Sequence, residues 1–137
     1  MKNKLLIIFV VGFVSICSCK KAVQQQEQNI IIAIVTSGQW YVQSFQENGI
    51  DSTSAFSGYL FKFNQNGTVV ASSGGVSATG SWTANISAKS ITSTFQGATS
   101  PLSKLNGTWT ITDSGLTYVV ANSSINGVTE NMRLQKQ

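Results

Sequence analysis

From Gln39 to the C-terminus, apolar and polar residues alternate along the chain. A period of two is typical of β-strands that bury one face, because successive side chains point to opposite sides of a sheet. Turn sequences such as Asn66-Gly67 and Asp113-Ser114-Gly115 separate the alternating runs and predict tight hairpins. The pattern predicts eight strands, at about residues 39–46, 58–64, 68–73, 76–84, 90–96, 107–112, 116–122 and 127–135.

One face of the predicted strands is apolar, and the opposite face is rich in Thr and Ser. Hairpin-linked strands of this kind predict an all-β, eight-stranded antiparallel up-and-down barrel. Two segments interrupt the alternation, and short helical turns are predicted near residues 52–56 and 102–105. The predicted inner face comprises Trp40, Val42, Tyr59, Phe61, Phe63, Val69, Ala71, Val76, Ala78, Trp82, Ile91, Phe95, Trp109, Ile111, Leu116, Tyr118, Val120, Val128, Glu130, Met132 and Leu134.

Residues 1–18 have the features of a secretory signal peptide. Two lysines precede an apolar run from Leu5 to Cys17, which is too short for a membrane span because a spanning helix needs about 20 apolar residues. The run ends in Ile16-Cys17-Ser18-Cys19, which resembles the lipobox of bacterial lipoproteins. The resemblance implies cleavage before Cys19, acylation of this residue and stable anchoring in a membrane. A disulfide or a free redox pair formed by the two cysteines is the alternative.

Residues 19–37 are predicted to connect the lipidated cysteine to a barrel domain over residues 38–137. Residues 20–29 are polar and Gln-rich, which predicts a flexible, solvated tether. Residues 30–35, Ile-Ile-Ile-Ala-Ile-Val, are apolar on every side. They predict either a short helix across one end of the barrel or an additional strand, and the helix is the preferred interpretation.

The chain offers little for catalysis or metal binding, since it has no histidine and only 10% charged residues. No two acidic residues share a predicted strand face at a spacing suited to a two-carboxylate mechanism. We therefore expect no enzymatic activity, no catalytic residue, no metal site and no cofactor. Without Lys2 and Lys4, seven cations and five acids remain, and two of these cations are Lys20 and Lys21. The domain thus lacks the basic groove that nucleic acids require.

Several motifs of the strand region resemble those of lipocalins. Gly38-Gln39-Trp40 is similar to the Gly-x-Trp signature that opens the first lipocalin strand. With the segments 56–63, 66–69, 80–82 and 105–109, and with the lipobox, the chain resembles the small lipocalin-like lipoproteins of the Bacteroidota. The resemblance implies a lipocalin-like barrel and a basic residue of the last strand stacked on the signature tryptophan, for which Arg133 is the candidate.

The tripeptide Asp51-Ser52-Thr53 has two interpretations. A turn or helix cap is the favoured one, because Asp side chains commonly accept hydrogen bonds from the main chain of the residues that follow. The tripeptide also fits the O-glycosylation acceptor sequence that the resemblance to Bacteroidota proteins implies, with Ser52 as the acceptor.

The interior of an eight-stranded barrel is either filled by side chains or holds one small ligand. Candidate ligand-binding residues are inner-face side chains that combine apolar bulk with a polar tip, or carry a charge: Tyr59, Trp82, Tyr118 and Glu130. Glu130 is either a polar handle for a ligand near the barrel mouth or a residue at a bulge or strand end that reaches water. The second interpretation is favoured.

The sequence therefore predicts an exported, monomeric lipoprotein whose barrel binds a small, largely apolar ligand. The alternative is a structural or protein-interaction lipoprotein with a side-chain-filled barrel. The expected location is the bacterial cell envelope, on the outer membrane facing the periplasm. Lys20-Lys21-Ala22 lacks the acidic pair of the Bacteroidota surface-export signal, which favours the periplasmic face over surface display.

Overall fold

The computed structural model describes residues 17–137, with side chains from residue 20 onward. A helix, α1 (Cys17–Thr36), precedes nine strands, and short 3₁₀ helices span Thr53–Phe56 and Leu102–Leu105. All eight predicted strands and both predicted helical turns are present, and β2 is an addition of two residues. The strands are β1 (Trp40–Glu47), β2 (Ile50–Asp51), β3 (Leu60–Phe63), β4 (Thr68–Ser73), β5 (Val76–Asn85), β6 (Ser90–Thr94), β7 (Gly107–Ser114), β8 (Tyr118–Ile125) and β9 (Val128–Lys136).

The sheet closes on itself as an antiparallel barrel. Its strand order is β2-β1-β3-β4-β5-β6-β7-β8-β9, and β1 also pairs with β9, from Trp40 opposite Lys136 to Glu47 opposite Glu130. The seam between β1 and β3 is much shorter, because Trp40 opposite Phe61 is its single registered pair. Eight strands thus form the barrel that the alternation predicted, and β2 extends the edge of β1 at one rim.

The two ends of the barrel differ in their covering elements. The end that carries α1 and the β3–β4, β5–β6 and β7–β8 turns is called the helix end. The opposite end, called the far end, carries both 3₁₀ helices and the β4–β5 and β8–β9 turns. The core lies between them, and the predicted burial of Trp40, Trp82 and Trp109 is confirmed, with exposed fractions of 1%, 5% and 3%.

A bulge in β1 changes which residues face the core. The register with β9 shifts between Val42 and Ser44, so strict alternation ends there. Phe45 consequently points inward and is completely buried. It packs against Phe56 of the first 3₁₀ helix, with ring centroids 4.8 Å apart, and so joins the far-end cover to the barrel.

The predicted inner face of β8 is wrong. Val119 and Ala121 are buried, whereas Tyr118 and Val120 lie on the outer wall. The first four residues of β8 are apolar on both faces, so their pattern does not specify a side. The pairing register with β9 determines which face of β8 is buried. Ala121 lies opposite the inward-facing Met132 of β9, and cross-strand partners share a face.

Two more predicted inner-face residues lie at hairpin ends. Val76 is 74% exposed and Leu116 is 72% exposed. Val76 is the first residue of β5, directly after Gly74-Gly75, and Leu116 lies in the β7–β8 turn. Both residues are beyond the part of the barrel in which the walls face one another, so alternation does not bury them.

The helix α1 covers the helix end of the barrel. Val35 is buried in the core, and Ile31, Ile32 and Ile34 pack against it, which confirms the helical interpretation of residues 30–35. The helix also includes residues 20–29, so the segment predicted as a flexible tether is helical. Its side chains are all exposed, as predicted for a solvated segment. Most of the predicted signal peptide and the side chain of Cys19 lie outside the described residues.

Candidate ligand-binding site

The barrel interior contains a small apolar cavity of about 50 Å³. Its wall includes the aromatic side chains of Phe61, Phe63 and Trp109, together with Leu105 of the second 3₁₀ helix. Pockets that hold drug-sized ligands measure roughly 300–1,000 Å³, so most of this interior is filled by side chains. The cavity is lined by Phe61, Phe63, Val69, Ile91, Ser93, Phe95, Leu105, Trp109, Ile111, Val119, Ala121, Met132 and Leu134.

The polar groups at the cavity wall are already hydrogen-bonded. Ser93 Oγ donates to the main-chain oxygen of Leu105. Trp109 Nε1 donates to the same oxygen, at 3.1 Å. A trapped water needs two to four polar partners, so this cavity favours apolar groups over water.

A larger groove lies beside α1 at the helix end. Its volume is about 330 Å³, and Ile111 lines both the groove and the cavity. Its apolar surface comes from Ile31, Ala84, Ile86 and Ile111, within a wall that also includes Glu27, Asn85, Lys89, Ser90, Thr112, Asp113 and Ser114. The groove therefore combines apolar and charged side chains, and Ile111 separates it from the apolar cavity.

The last turn of α1 is fixed to the barrel by three side chains. Trp40 Nε1 donates to the oxygen of Val35 at 2.9 Å, and Lys62 Nζ donates to the oxygen of Thr36 at 2.9 Å. Lys136 Nζ donates to the oxygen of Ile34 at 3.1 Å. The helix itself supplies no main-chain donor to these carbonyls, although Ser37 Oγ also donates to the oxygen of Ile34. The negative end of the helix dipole favours the two lysines. We call these contacts the helix clamp.

The cation stacked on the signature tryptophan is Lys136, and not Arg133 as predicted. Lys136 Nζ lies 5.0 Å from the centre of the Trp40 ring. Arg133 is on the outer wall, where its guanidinium lies 4.2 Å from the centre of the Tyr118 ring and its Nε donates to Gln43. In β9 the side chain opposite Trp40 belongs to Lys136, which explains the choice of cation.

The predicted ligand-binding residues do not form one site, and none of them lines the cavity. Tyr59 is half-buried at the far end and stacks on Phe61, with ring centroids 6.1 Å apart. Trp82 is buried, and its Nε1 donates to the oxygen of Asn64 at 2.9 Å. Trp82 therefore fixes the β3–β4 turn, and its polar tip is already engaged.

Tyr118 is also remote from the interior. It lies on the outer wall beneath Arg133, and its hydroxyl donates to Asp113 Oδ2 at 3.2 Å. These contacts tie the end of β7 to β8 and β9. The placement follows from the reversed face of β8, so the prediction of Tyr118 as an inward-facing ligand contact is wrong.

Glu130 is inside the barrel at the far end, where it is 6% exposed. The favoured interpretation, a strand-end residue that reaches water, is therefore wrong. Its cross-strand partner on β8 is Ser123, which is 5% exposed. Glu130 Oε2 and Ser123 Oγ have no hydrogen-bond partner among the described residues. Burial raises the pKa of Glu130 above its ordinary value, and the negative charge of Glu47 raises it further.

An ion pair lies next to this buried carboxyl group. Lys104 of the second 3₁₀ helix binds Glu47 of β1, and Glu47 lies opposite Glu130 in the sheet. The hydrogen bond from Lys104 holds the pKa of Glu47 below its ordinary value. The pair connects β1 to the far-end cover, and both side chains are only about a quarter exposed.

The tripeptide Asp51-Ser52-Thr53 forms the turn that was predicted. Asp51 Oδ1 accepts a hydrogen bond from Thr53 N at 2.9 Å and a second from Thr53 Oγ1 at 2.5 Å. Both bonds stabilise the carboxylate and lower the pKa of Asp51. The turn is thus confirmed, whereas the N-cap of the 3₁₀ helix is Ser52, whose side chain makes no capping hydrogen bond. Glycosylation of Ser52 stays a prediction.

Within residues 17–137, no three His, Cys, Asp or Glu side chains are grouped in a way that could hold a metal ion. In the same range, no helix has both the length and the apolar content needed to cross a membrane.

Comparisons with known proteins define the fold only. No family model matches the sequence, and no curated protein matches it significantly. Among solved structures, the chain is similar to a DUF4847 family protein from Bacteroides vulgatus ATCC 8482, with a TM-score of 0.56 and 14% sequence identity. The similarity covers 78% of this chain and 99% of the other. The chain therefore shares its fold with a small barrel protein of the Bacteroidota.

Proposed function

We propose that the protein is an exported, lipid-anchored lipoprotein whose barrel binds a small, largely apolar ligand. In this proposal Cys19 carries the lipid, the protein is a monomer, and it resides in the cell envelope on the periplasmic face of the outer membrane. The lipobox-like sequence at the end of the apolar N-terminal run supports the anchor. The proposed role is non-catalytic, requires no cofactor and involves no nucleic acid.

The observation that carries the binding function is that Ile111 lines both the interior cavity and the groove beside α1. Ile111 lines both spaces, so a ligand in the groove would reach the interior past this one side chain. The cavity wall offers apolar and aromatic contacts, and the groove offers charges on Glu27, Lys89 and Asp113. This arrangement suits an amphipathic molecule with its apolar part in the barrel and its polar part at the rim.

The cavity volume limits the part of the ligand that enters the barrel. About 50 Å³ accommodates only a slender apolar group, such as the end of an alkyl chain. The groove, at about 330 Å³, is within the range of small-ligand pockets and would hold the rest. The binding residues of this proposal therefore differ from the four that the sequence suggested, and Ile31, Ile86 and Ile111 replace them.

A side-chain-filled barrel with a structural or protein-interaction role is the second candidate. The small cavity volume favours it directly, since three tryptophans and several phenylalanines already occupy the interior. In this case the barrel would serve as a rigid support, and its outer surface would make the functional contacts.

Native mass spectrometry of protein purified from its own host tests the two candidates. Ligand binding predicts an additional small mass that is retained by the folded protein and lost on unfolding. The protein should also bind an apolar fluorescent probe saturably, with quenching of tryptophan emission. Protein that retains no additional mass and binds no probe from a panel of lipids, sterols and aromatic compounds would contradict ligand binding and favour the filled barrel.

A further inference from the structure

The helix α1 carries an apolar stripe on the side away from the barrel. Ala22, Val23, Ile30 and Ala33 are all exposed, and the exposed fractions of Val23 and Ile30 are 55% and 54%. Ile30 follows Val23 by seven residues and Ala22 by eight, and Ala33 follows Ile30 by three, so the four residues lie on one face of the helix. Val35, by contrast, is on the barrel-facing side. We call these four exposed residues the outer stripe.

The charges of α1 lie beside the outer stripe and not within it. Gln26 is the polar residue in its middle, and it is uncharged. Glu27 is directed to the groove that α1 shares with β5 and β7. Lys20 and Lys21 are at the N-terminal part of the helix, one and two residues after Cys19. Lys20 is exposed at the N-terminal end of the stripe, whereas Lys21 lines a groove beside the β5–β6 turn. Helices that lie in the interface of anionic membranes combine exposed apolar residues with lysines.

The helix clamp holds the outer stripe in a fixed position on the barrel. Trp40, Lys62 and Lys136 bind the last carbonyls of α1, and Ile31, Ile34 and Val35 pack below them. Since α1 covers the helix end, the stripe faces away from that end. A surface that contacts the stripe would therefore meet the helix end of the protein first.

We propose that the outer stripe rests on the bilayer that receives the lipid of Cys19, so that the helix end of the barrel faces the membrane. The inference rests on the lipid anchor of the proposed function. The anchor would enter the bilayer three residues before Ala22, so the stripe continues the membrane-bound part of the chain. Lys20, an exposed residue between Cys19 and Ala22, contacts anionic headgroups. The groove beside α1 then opens close to the bilayer, from which an amphipathic ligand would enter.

Single cysteines with an environment-sensitive fluorophore test this orientation in the full-length lipidated protein. Val23→Cys and Ile30→Cys place the label on the outer stripe. Gln28→Cys is the matched control on the same helix, because Gln28 is directed to the β5–β6 turn. Val76→Cys is the control for the far end, because Val76 lies there and is 74% exposed. Labelling of the parent chain gives the background from the native cysteines.

The expected result in vesicles of phosphatidylglycerol and phosphatidylcholine is selective burial of the outer stripe. Labels at positions 23 and 30 should shift to shorter wavelength and be quenched by lipid-attached quenchers several-fold more than labels at positions 28 and 76. Replacing Lys20 by Gln should reduce this difference, and high salt should do the same.

Three outcomes would overturn the inference. Equal quenching at all four positions in protein that pellets with the vesicles would leave the lipid anchor intact and refute the orientation. Protection of positions 23 and 30 in a detergent-solubilised dimer would assign the outer stripe to a second copy. Protein that does not pellet with membranes would refute the anchor, and the orientation with it.

Discussion

The indole nitrogen of Trp40 donates a hydrogen bond to the main-chain oxygen of Val35 at 2.9 Å. Trp40 begins the first strand, and Val35 belongs to the last turn of α1. Trp40 is only 1% exposed and also lies opposite Phe61 and Lys136 in the sheet. One side chain thus joins the seam of the barrel to the helix that covers it, which gives the tryptophan of the Gly-x-Trp sequence a structural role.

Replacing Trp40 by Phe should loosen α1 while preserving most of the core. The ring packing is largely kept, but the buried oxygen of Val35 loses its donor, which costs about 1–3 kcal/mol. We expect a lower denaturant midpoint together with faster hydrogen exchange in the C-terminal half of α1, measured by mass spectrometry.

Trp82→Phe is the matched control for this helix effect. It removes the bond from Nε1 to Asn64, in the β3–β4 turn, and so should also lower the midpoint. Hydrogen exchange in α1 should stay close to that of the wild type. Equal loosening of α1 in both variants would mean that general destabilisation, and not the helix clamp, explains the effect.

The strands could be predicted because a half-buried sheet imposes a period of two on its sequence. It was harder to predict which side chains point into the core where a strand departs from this period. In β1 the bulge after Val42 turns Phe45 inward, and no residue type marks the bulge in the sequence. In β8 both faces begin with apolar residues, and only the register against Met132 buries Ala121 and exposes Tyr118.

The candidate site depends on information that a sequence pattern does not contain. Alternation correctly placed Glu130 inside, but its burial depends on the far-end cover that the 3₁₀ helices provide. The groove combines Ile31 of a helix with Ile86 of a turn and Ile111 of a strand. Their apolar character was visible in the sequence, whereas their proximity results from how α1 packs on the barrel.

Glu130→Gln should make the protein more stable at neutral and alkaline pH. Burial raises the pKa of Glu130 above its ordinary value in the folded state, so the folded protein keeps this proton to a higher pH than the unfolded chain does. Stability therefore falls as the pH rises from the unfolded pKa through the folded pKa, and the loss persists above it. The variant avoids this loss, with a gain on the order of 1 kcal/mol because the buried amide still pays a desolvation cost.

Urea midpoints from acidic to mildly alkaline pH measure this effect. The midpoint of Glu130→Gln should diverge from that of the wild type as the pH increases. Glu27→Gln is the control, because Glu27 is an exposed residue of α1 at the other end of the barrel. A variant whose midpoint runs parallel to the wild-type midpoint at every pH would show that Glu130 titrates as it does in the unfolded chain.

Cys19→Ala should release the protein from the membrane fraction without unfolding it. The proposed lipid joins the chain at the start of α1, seventeen residues before the helix ends at Thr36 and outside the barrel core. We expect the variant in the soluble fraction, with the circular dichroism and thermal midpoint of the folded barrel. Cys17→Ala is the control and should stay with the membranes. A Cys19→Ala protein that resists alkaline extraction would exclude the proposed anchor.

Ala121→Leu should abolish binding of an apolar probe while leaving the barrel folded. Ala121 is 4% exposed and lines the interior cavity, so a larger side chain there occupies the space that a ligand would enter. The cost of overpacking is about 1–3 kcal/mol, which a stable domain tolerates. Probe titration followed by tryptophan quenching measures the affinity, and near-ultraviolet circular dichroism reports the packing.

Ala78→Leu is the control, because it enlarges a partly buried residue that does not line the cavity. This variant should bind the probe like the wild type. Unchanged binding by a folded Ala121→Leu protein would place the probe outside the interior cavity and support the side-chain-filled barrel.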